Sequence, residues 1–282
     1  MEVRMKQFED TLKATQGLPD LFLRVWEPDK TIRAVMVLVH GLGEHSGRYG
    51  THFASFYTDA GIAILAPDLP GHGLTNGDRG HIAQTAQFLD IIDVLVEEAQ
   101  QRYPEKPLFI YGHSMGGLIT LWYALDRHPQ VAGVIVTSPA IGVHDPVPAP
   151  KKALAKLMNR ISPAFSMENG LDAAQLSHDK QVVQAYVDDP LVHSRISARL
   201  GLMMLSQGDW ILAHAPENTN SLLVMIGSQE GIVSKTAVDK FCQIAPNLTY
   251  KVWPGLFHEI HNEAENKQVF AYTQKWMEER LS

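Results

Sequence analysis

PLFIYGHSMGGLITLWYALDRHP, residues 107–129, joins an apolar block to an amphipathic helical pattern through a serine bracketed by glycines. The apolar block PLFIYG reads as a strand, and helical spacing begins within GGLITLWYAL with no loop between them. Only a tight strand-to-helix turn fits that junction, and GHSMG (112–116) is the G-x-S-x-G pattern such a turn uses. The glycines remove side chains that would clash there. The turn lifts the serine above the sheet edge, near the positive end of the following helix. The bare pattern arises by chance in roughly one chain in ten, so its placement carries the argument. Ser114 is the candidate nucleophile, the duller reading being a plain helix N-cap.

Working outward, short apolar runs alternate with helix-length segments. AVMVLV (34–39), IAILAPD (62–68), VAGVIVTSP (131–139), SLLVMIG (221–227) and NLTYKVWPG (247–255) read as strands. FLDIIDVLVEEAQQRY (88–103) and NEAENKQVFAYTQKWMEERL (262–281) read as helices. Strands apolar on both faces and alternating with helices indicate an α/β fold, with a mostly parallel central sheet flanked by helices. FEDTLKATQGLPDLFLRVWEP (8–28) predicts a hairpin or two antiparallel strands, broken at Gly17 and Pro19. Residues 141–215 break the rhythm, opening on proline-rich GVHDPVPAPKK and holding helix-like pieces without a strong strand candidate. The expected organisation is a core split into 1–140 and 216–282, with a helical cap inserted at 141–215.

Bulk composition narrows the function. A net charge of −7 argues against nucleic acid as the main partner. Cys242, the one cysteine, excludes an internal disulfide and a cysteine-built metal site, which suits a reducing compartment. The N-terminal MEVRMKQFED lacks the apolar stretch of a signal peptide, and no apolar run is long enough to span a bilayer. The expectation is a soluble cytoplasmic protein whose membrane contact, if any, is peripheral.

A serine needs a base within hydrogen-bond reach. Triads on this kind of strand–turn–helix scaffold run Ser, acid, His in chain order. WPGLFHEIHNE (253–263) follows the last strand and supplies His258 as the base. The adjacent Ser177, His178 and Asp179 are a decoy, since sequence neighbours cannot face one another in triad geometry. The acid should follow an earlier strand, and Glu230 in IGSQEGIV (226–233) stands at that place. Asp145 and Asp239 are the competing carboxylates. HGLGE (40–44) supplies the oxyanion loop, with the backbone N–H groups of Leu42 and Met115 as donors.

HGLGEHSGRY, PDLPGHGLTNGDRG, GHSMGG, QAYVDDPLVH and PGLFHEIHNE, in that order, resemble the monoacylglycerol lipase/lysophospholipase branch of the α/β-hydrolases. The resemblance runs from about residue 30 to the C-terminus. It implies Ser114 as nucleophile, His258 as base, and Leu42 and Met115 as oxyanion donors. It also implies a polar glycerol end contacted by Glu44, Arg48 and His261, with Tyr186 nearby. Each has a plainer reading: an ion pair for Glu44 and Arg48, packing for Tyr186, a loop or capping residue for His261. The departure lies at the acid, where the family usually places Asp and this chain has Glu230. Glutamate is one methylene longer, so its turn must recede for the carboxylate to meet the same imidazole nitrogen.

KKALAKLMNRI (151–161) puts Leu154, Leu157, Met158 and Ile161 on one helical face, with Lys151, Lys152, Lys156 and Arg160 largely elsewhere. Such a helix either docks on an anionic lipid surface or turns its apolar face onto the pocket as a lid. The Leu- and Met-rich ARLGLMMLSQGDWIL (198–212) fits an acyl channel or ordinary core. The expected function is cofactor-free and metal-free hydrolysis of a monoacylglycerol through an acyl-enzyme. A lysophospholipase, a general carboxylesterase or a thioesterase are alternatives, and a ligand-binding receptor with a weak triad is one of another class.

Overall fold

In the computed structural model, residues 5–13, 17–145 and 147–281 are described. β1 (Met5–Leu12) and β2 (Leu21–Pro28) pair antiparallel, with Leu12 opposite Leu21. Residues 14–16 of the expected hairpin lie outside the described residues. The chain continues through β3 (Ala34–Val39), α1 (His52–Asp59), β4 (Ile62–Pro67), α2 (Gln87–Arg102), β5 (Leu108–His113), α3 (Met115–Arg127) and β6 (Gly133–Thr137). The segment that follows holds α4 (Ala149–Ile161), β7 (Ser166–Glu168), α5 (Lys180–Asp188), β8 (Arg195–Ser197) and α6 (Ala198–His214). β9 (Leu222–Gly227), α7 (Lys235–Ile244), β10 (Leu248–Trp253) and α8 (Asn266–Glu278) complete the chain.

The eight-stranded sheet has the order β1-β2-β4-β3-β5-β6-β9-β10. β2 joins β4 antiparallel, and the pairs from β4 to β10 are parallel. The continuous apolar runs are explained by two core layers. Val35, Val37 and Val39 of β3 pack with residues of α2, α3 and α6, whereas Ala34, Met36 and Leu38 pack with residues of α1 and α8. β5 divides the same way, Leu108 and Ile110 to one layer and Phe109 and Tyr111 to the other. A strand buried on both faces has no polar alternation to show.

Between β6 and β9 the chain departs from the sequence expectation in one respect. β7 and β8 form a two-stranded antiparallel ribbon, Ser166 opposite Ser197. Three-residue strands are too short to show a period-two pattern. α6 settles against the core, burying Leu200, Met203 and Ile211, and a Cβ on Gly208 would stand 2.5 Å from the Ile141 carbonyl oxygen. Those buried residues of the Leu/Met-rich stretch are core. α4 is different: none of its residues is buried, and Leu154, Leu157 and Ile161 are 48%, 52% and 69% exposed. Its apolar face meets solvent rather than the protein interior. Among the described residues no helix is long and apolar enough to cross a membrane.

Candidate active site

Ser114 stands between β5 and α3 with φ 54° and ψ −116°, a backbone conformation that strains any residue with a side chain. Its surroundings hold it there. The Ser114 N–H donates to the Thr137 carbonyl, and the Ser114 carbonyl accepts from the N–H groups of Leu118 and Ala140, each at 3.0 Å. Glycine permits the turn where backbones crowd: a Cβ on Gly112 would lie 2.5 Å from the Gly116 carbonyl oxygen. A Cβ on Gly116 would lie 2.1 Å from the Val39 carbonyl oxygen. The second approach presses the first turn of α3 against the end of β3, and so brings Met115 beside the 40–44 loop. A Cβ on Gly41 would sit 3.3 Å from the Ser114 Cβ. Among the described residues, neither the Leu42 nor the Met115 N–H has a backbone or side-chain partner, so both are available to an oxyanion.

His258 meets Glu230 rather than Asp145 or Asp239. Its Nδ1 lies 2.9 Å and 3.0 Å from the two Glu230 oxygens. A carboxylate can only accept, so Nδ1 carries the proton and Nε2 is left basic. Glu230 Oε1 also accepts the N–H groups of Ile232 at 2.8 Å and Val233 at 3.0 Å. Asp145 is exposed, and Asp239 is engaged by Lys235 and Tyr250. Burial pushes the Glu230 carboxyl up, but the His258 ring and the two backbone donors outweigh it and hold it below its usual range. Burial pushes His258 down, yet Glu230 outweighs burial and raises it. Among the described residues no hydrogen bond joins the Ser114 hydroxyl to His258, a bond that unliganded sites commonly leave long.

The His258 loop is tied down from both sides. Ser138, next to the strand end that holds Ser114, donates its hydroxyl to the His258 carbonyl at 2.8 Å. From the segment between β6 and β9, the Gln175 carbonyl accepts the His258 N–H and the Leu176 carbonyl accepts the Glu259 N–H. Gly231 leaves room for this grip, since a Cβ there would stand 2.4 Å from Gln175 Oε1. Ser177 and His178 do form a polar cluster, but with buried Glu263, which accepts from the Ser177 hydroxyl and His178 Nδ1. The cluster anchors the segment.

Glu44, Arg48, Tyr186 and His261 gather in one cluster, together with residues the sequence reasoning missed. Arg48 Nη1 donates to Glu44 Oε2 and to Glu259 Oε1, both at 2.6 Å, and Nη2 donates to Glu259 Oε2 at 2.8 Å. Glu44 Oε1 accepts the Gly41 N–H at 2.7 Å and the Tyr49 hydroxyl at 2.9 Å. The ion-pair reading of Glu44 and Arg48 therefore holds, and Glu44 also fixes the 40–44 loop. The Tyr186 ring covers the Arg48 guanidinium, 4.7 Å from its centroid. His261 stacks on Tyr49 at 5.1 Å, and its buried Nδ1 has no partner. Burial holds the His261 ring down at about 4, so it is neutral near pH 7. Burial raises Glu259, but Arg48 dominates and brings it to about 2. His113 lies between the rings of His258 and His261, 4.8 Å and 4.6 Å away, with Nδ1 on the Thr137 hydroxyl. The signal for Glu259 was the acid immediately after the base in HEIHNE, but nothing in the sequence points it at Arg48, 211 positions away.

Among the described residues no group of three or more His, Cys, Asp or Glu side chains is disposed to hold a metal ion. Ser114 keeps only 9% of its surface exposed.

Residues 30–265 match the profile of the Hydrolase_4 family, serine aminopeptidase, S33. An uncharacterized abhydrolase domain-containing protein of Dictyostelium discoideum is 36% identical over 95% of this chain, which spans 28% of that protein. A monoacylglycerol lipase of Mycolicibacterium smegmatis is 34% identical, the match covering 91% of this chain and 92% of that protein. The crystal structure of the Paleococcus ferrophilus monoacylglycerol lipase superposes with a TM-score of 0.84 at 32% identity, covering 92% of this chain and 99% of that one. With the profile spanning most of its length, the chain belongs to the Hydrolase_4 (serine aminopeptidase, S33) family and has the α/β-hydrolase fold.

Proposed function

We propose that this chain is a serine ester hydrolase that cleaves monoacylglycerol to fatty acid and glycerol through an acyl-enzyme. The observation that carries the reading is a strained, nearly buried serine beside two free N–H groups and a histidine whose Nδ1 is engaged by a buried carboxylate. His258 Nε2 takes the Ser114 proton as Oγ attacks the ester carbonyl carbon. The N–H groups of Leu42 and Met115 stabilise the oxyanion, a contribution of about 3–4 kcal/mol per lost donor in comparable sites. Collapse of the tetrahedral intermediate breaks the bond to the glycerol oxygen, which leaves with the proton from His258. Water, deprotonated by His258, then attacks the acyl-serine, and Ser114 recovers its proton as fatty acid departs. Glu230 keeps the imidazole in the tautomer this cycle needs.

Glu44, Arg48, Tyr186 and His261 line the polar end of the site in this reading. His261 Nδ1, buried and unpartnered, is placed to bond a substrate hydroxyl. The inserted segment serves as lid over Ser114. α4 contacts an anionic membrane surface peripherally, its support being the exposed Leu154, Leu157 and Ile161 beside Lys152, Lys156 and Arg160. The protein works in the cytoplasm, in keeping with a single, half-buried cysteine whose thiol burial pushes up to about 12.

A fluorophosphonate probe should label the protein at Ser114, and Ser114→Ala should abolish both labelling and release of fatty acid from a monoacylglycerol. Absence of labelling in the folded wild type would leave the ligand-binding reading standing instead.

A further inference from the structure

The polar end of the site holds more negative than positive charge. Arg48, the one cation in the cluster among the described residues, has a side chain only 9% exposed and faces two carboxylates, Glu44 and Glu259. Glu259 takes two Arg48 donors side by side, at 2.6 Å and 2.8 Å, which is the fork–fork geometry a phosphate would otherwise use. Tyr186 covers a face of the same guanidinium. His261 is neutral near pH 7, and Asp189 at the rim is already paired with His45. Among the described residues of the cluster, no free cation is left to balance a further anion. An uncharged polyol meets no such obstacle, since Glu44 and Glu259 can accept from hydroxyl groups and the open Nδ1 of His261 can bond one.

We infer that Glu259 is a specificity-determining residue: by occupying the fork of Arg48 and leaving the pocket with excess negative charge, it excludes phosphate-bearing single-chain lipids and reserves the site for esters of uncharged polyols. The inference rests on the proposed assignment of this end of the site to the head group. Glu259 acts through Arg48, so it positions and neutralises that residue rather than touching the reacting atoms. A phosphate brought against this excess of buried negative charge should lose at least about tenfold in selectivity.

The test measures turnover of 1-lauroylglycerol and of its 3-phosphate, with 4-nitrophenyl butyrate as an ester lacking either head group. Inhibition of the nitrophenyl reaction by glycerol and by glycerol 3-phosphate gives a second, lipid-free measure of the same selectivity. Wild type should favour the uncharged member of both pairs. Glu259→Gln should shift both ratios toward phosphate by at least about tenfold. Adding Arg48→Gln should remove the shift, because the freed fork is what binds phosphate. Glu259→Asp, which keeps the charge, should retain the wild-type ratio, an outcome that a merely structural role does not predict. An unchanged ratio in folded Glu259→Gln, or a shift that survives loss of Arg48, overturns the inference. Stronger inhibition of wild type by glycerol 3-phosphate than by glycerol overturns it without any variant. If wild type hydrolyses the nitrophenyl ester but neither glycerol lipid, the proposed function fails, and the inhibition ratio still decides the role of Glu259.

Discussion

Glu230→Gln removes one charge and almost no volume, and the hydrogen bonds around it predict which way the amide will turn. Oε1 accepts the backbone N–H groups of Ile232 and Val233 and lies 3.0 Å from His258 Nδ1, whereas among the described residues Oε2 has His258 Nδ1 alone, at 2.9 Å. A glutamine with its amide nitrogen at the Oε1 position would set a donor against two backbone donors. Each unsatisfied group costs about 1–3 kcal/mol. The amide oxygen therefore stays at Oε1, and the NH2 group meets Nδ1. The NH2 group, slightly nearer to Nδ1 than the amide oxygen, favours the tautomer with the proton on Nε2, where the ring can no longer take the proton of Ser114. The wrong tautomer costs about 10⁴ in kcat in the analogous Asp→Asn serine protease, about 5.4 kcal/mol at 1.36 kcal/mol per decade. Rates on 4-nitrophenyl butyrate across pH supply the assay. Activity requires neutral His258, so kcat/KM in wild type should rise with pH through the raised pKa of that residue. Without the carboxylate, burial prevails, and any residual activity should show this limb at lower pH.

Stability gives a second reading of the same pair. The folded pKa of His258 is raised above 6.5, so its contribution is full below 6.5 and fades as pH rises through the raised value. The folded pKa of Glu230 is lowered below 4.5, so its contribution is full above 4.5 and fades as pH falls through the lowered value. Urea unfolding should show the largest deficit of Glu230→Gln between those two values. A variant within tenfold of wild-type kcat/KM, with the same acid limb, would refute the assignment of Glu230 as the orienting acid.

Gly116→Ala places a Cβ against the carbonyl oxygens of Val39 and His40, backbone atoms that cannot swing aside. Thermal unfolding should show a loss of about 1–3 kcal/mol, and displaced oxyanion donors should lower kcat by about 10²-fold or more; a variant unchanged in both measurements would contradict the geometry. Replacing Leu154, Leu157 and Ile161 together with serine should weaken sedimentation with anionic vesicles roughly 100-fold, at about 1 kcal/mol for each half-inserted side chain. Turnover of a soluble ester should be unaffected, and undiminished vesicle binding would remove α4 as the docking face.

Features written in contiguous residues were legible before folding. The strand-to-helix turn at Ser114 and the core strands follow from local pattern. The helix at 151–161 was legible too, since its period is local, but the direction its apolar face takes was not. That depends on what α6 leaves uncovered, and α4 turns Leu154, Leu157 and Ile161 to solvent. The ribbon of β7 and β8 was hidden because three residues make no readable period.

The choice among Glu230, Asp145 and Asp239 illustrates the division most sharply. By itself the sequence determined that an acid should follow a core strand, and offered three. The tertiary structure shows which of them meets His258: among the described residues the turn after β9 carries Glu230 to Nδ1, while Ile232 and Val233 hold its Oε1. The pairing of Glu259 with Arg48 was decided the same way. Hydrogen bonds and ion pairs act over about 3 Å, and only the folded chain sets which residues 28 or 211 positions apart come within that distance.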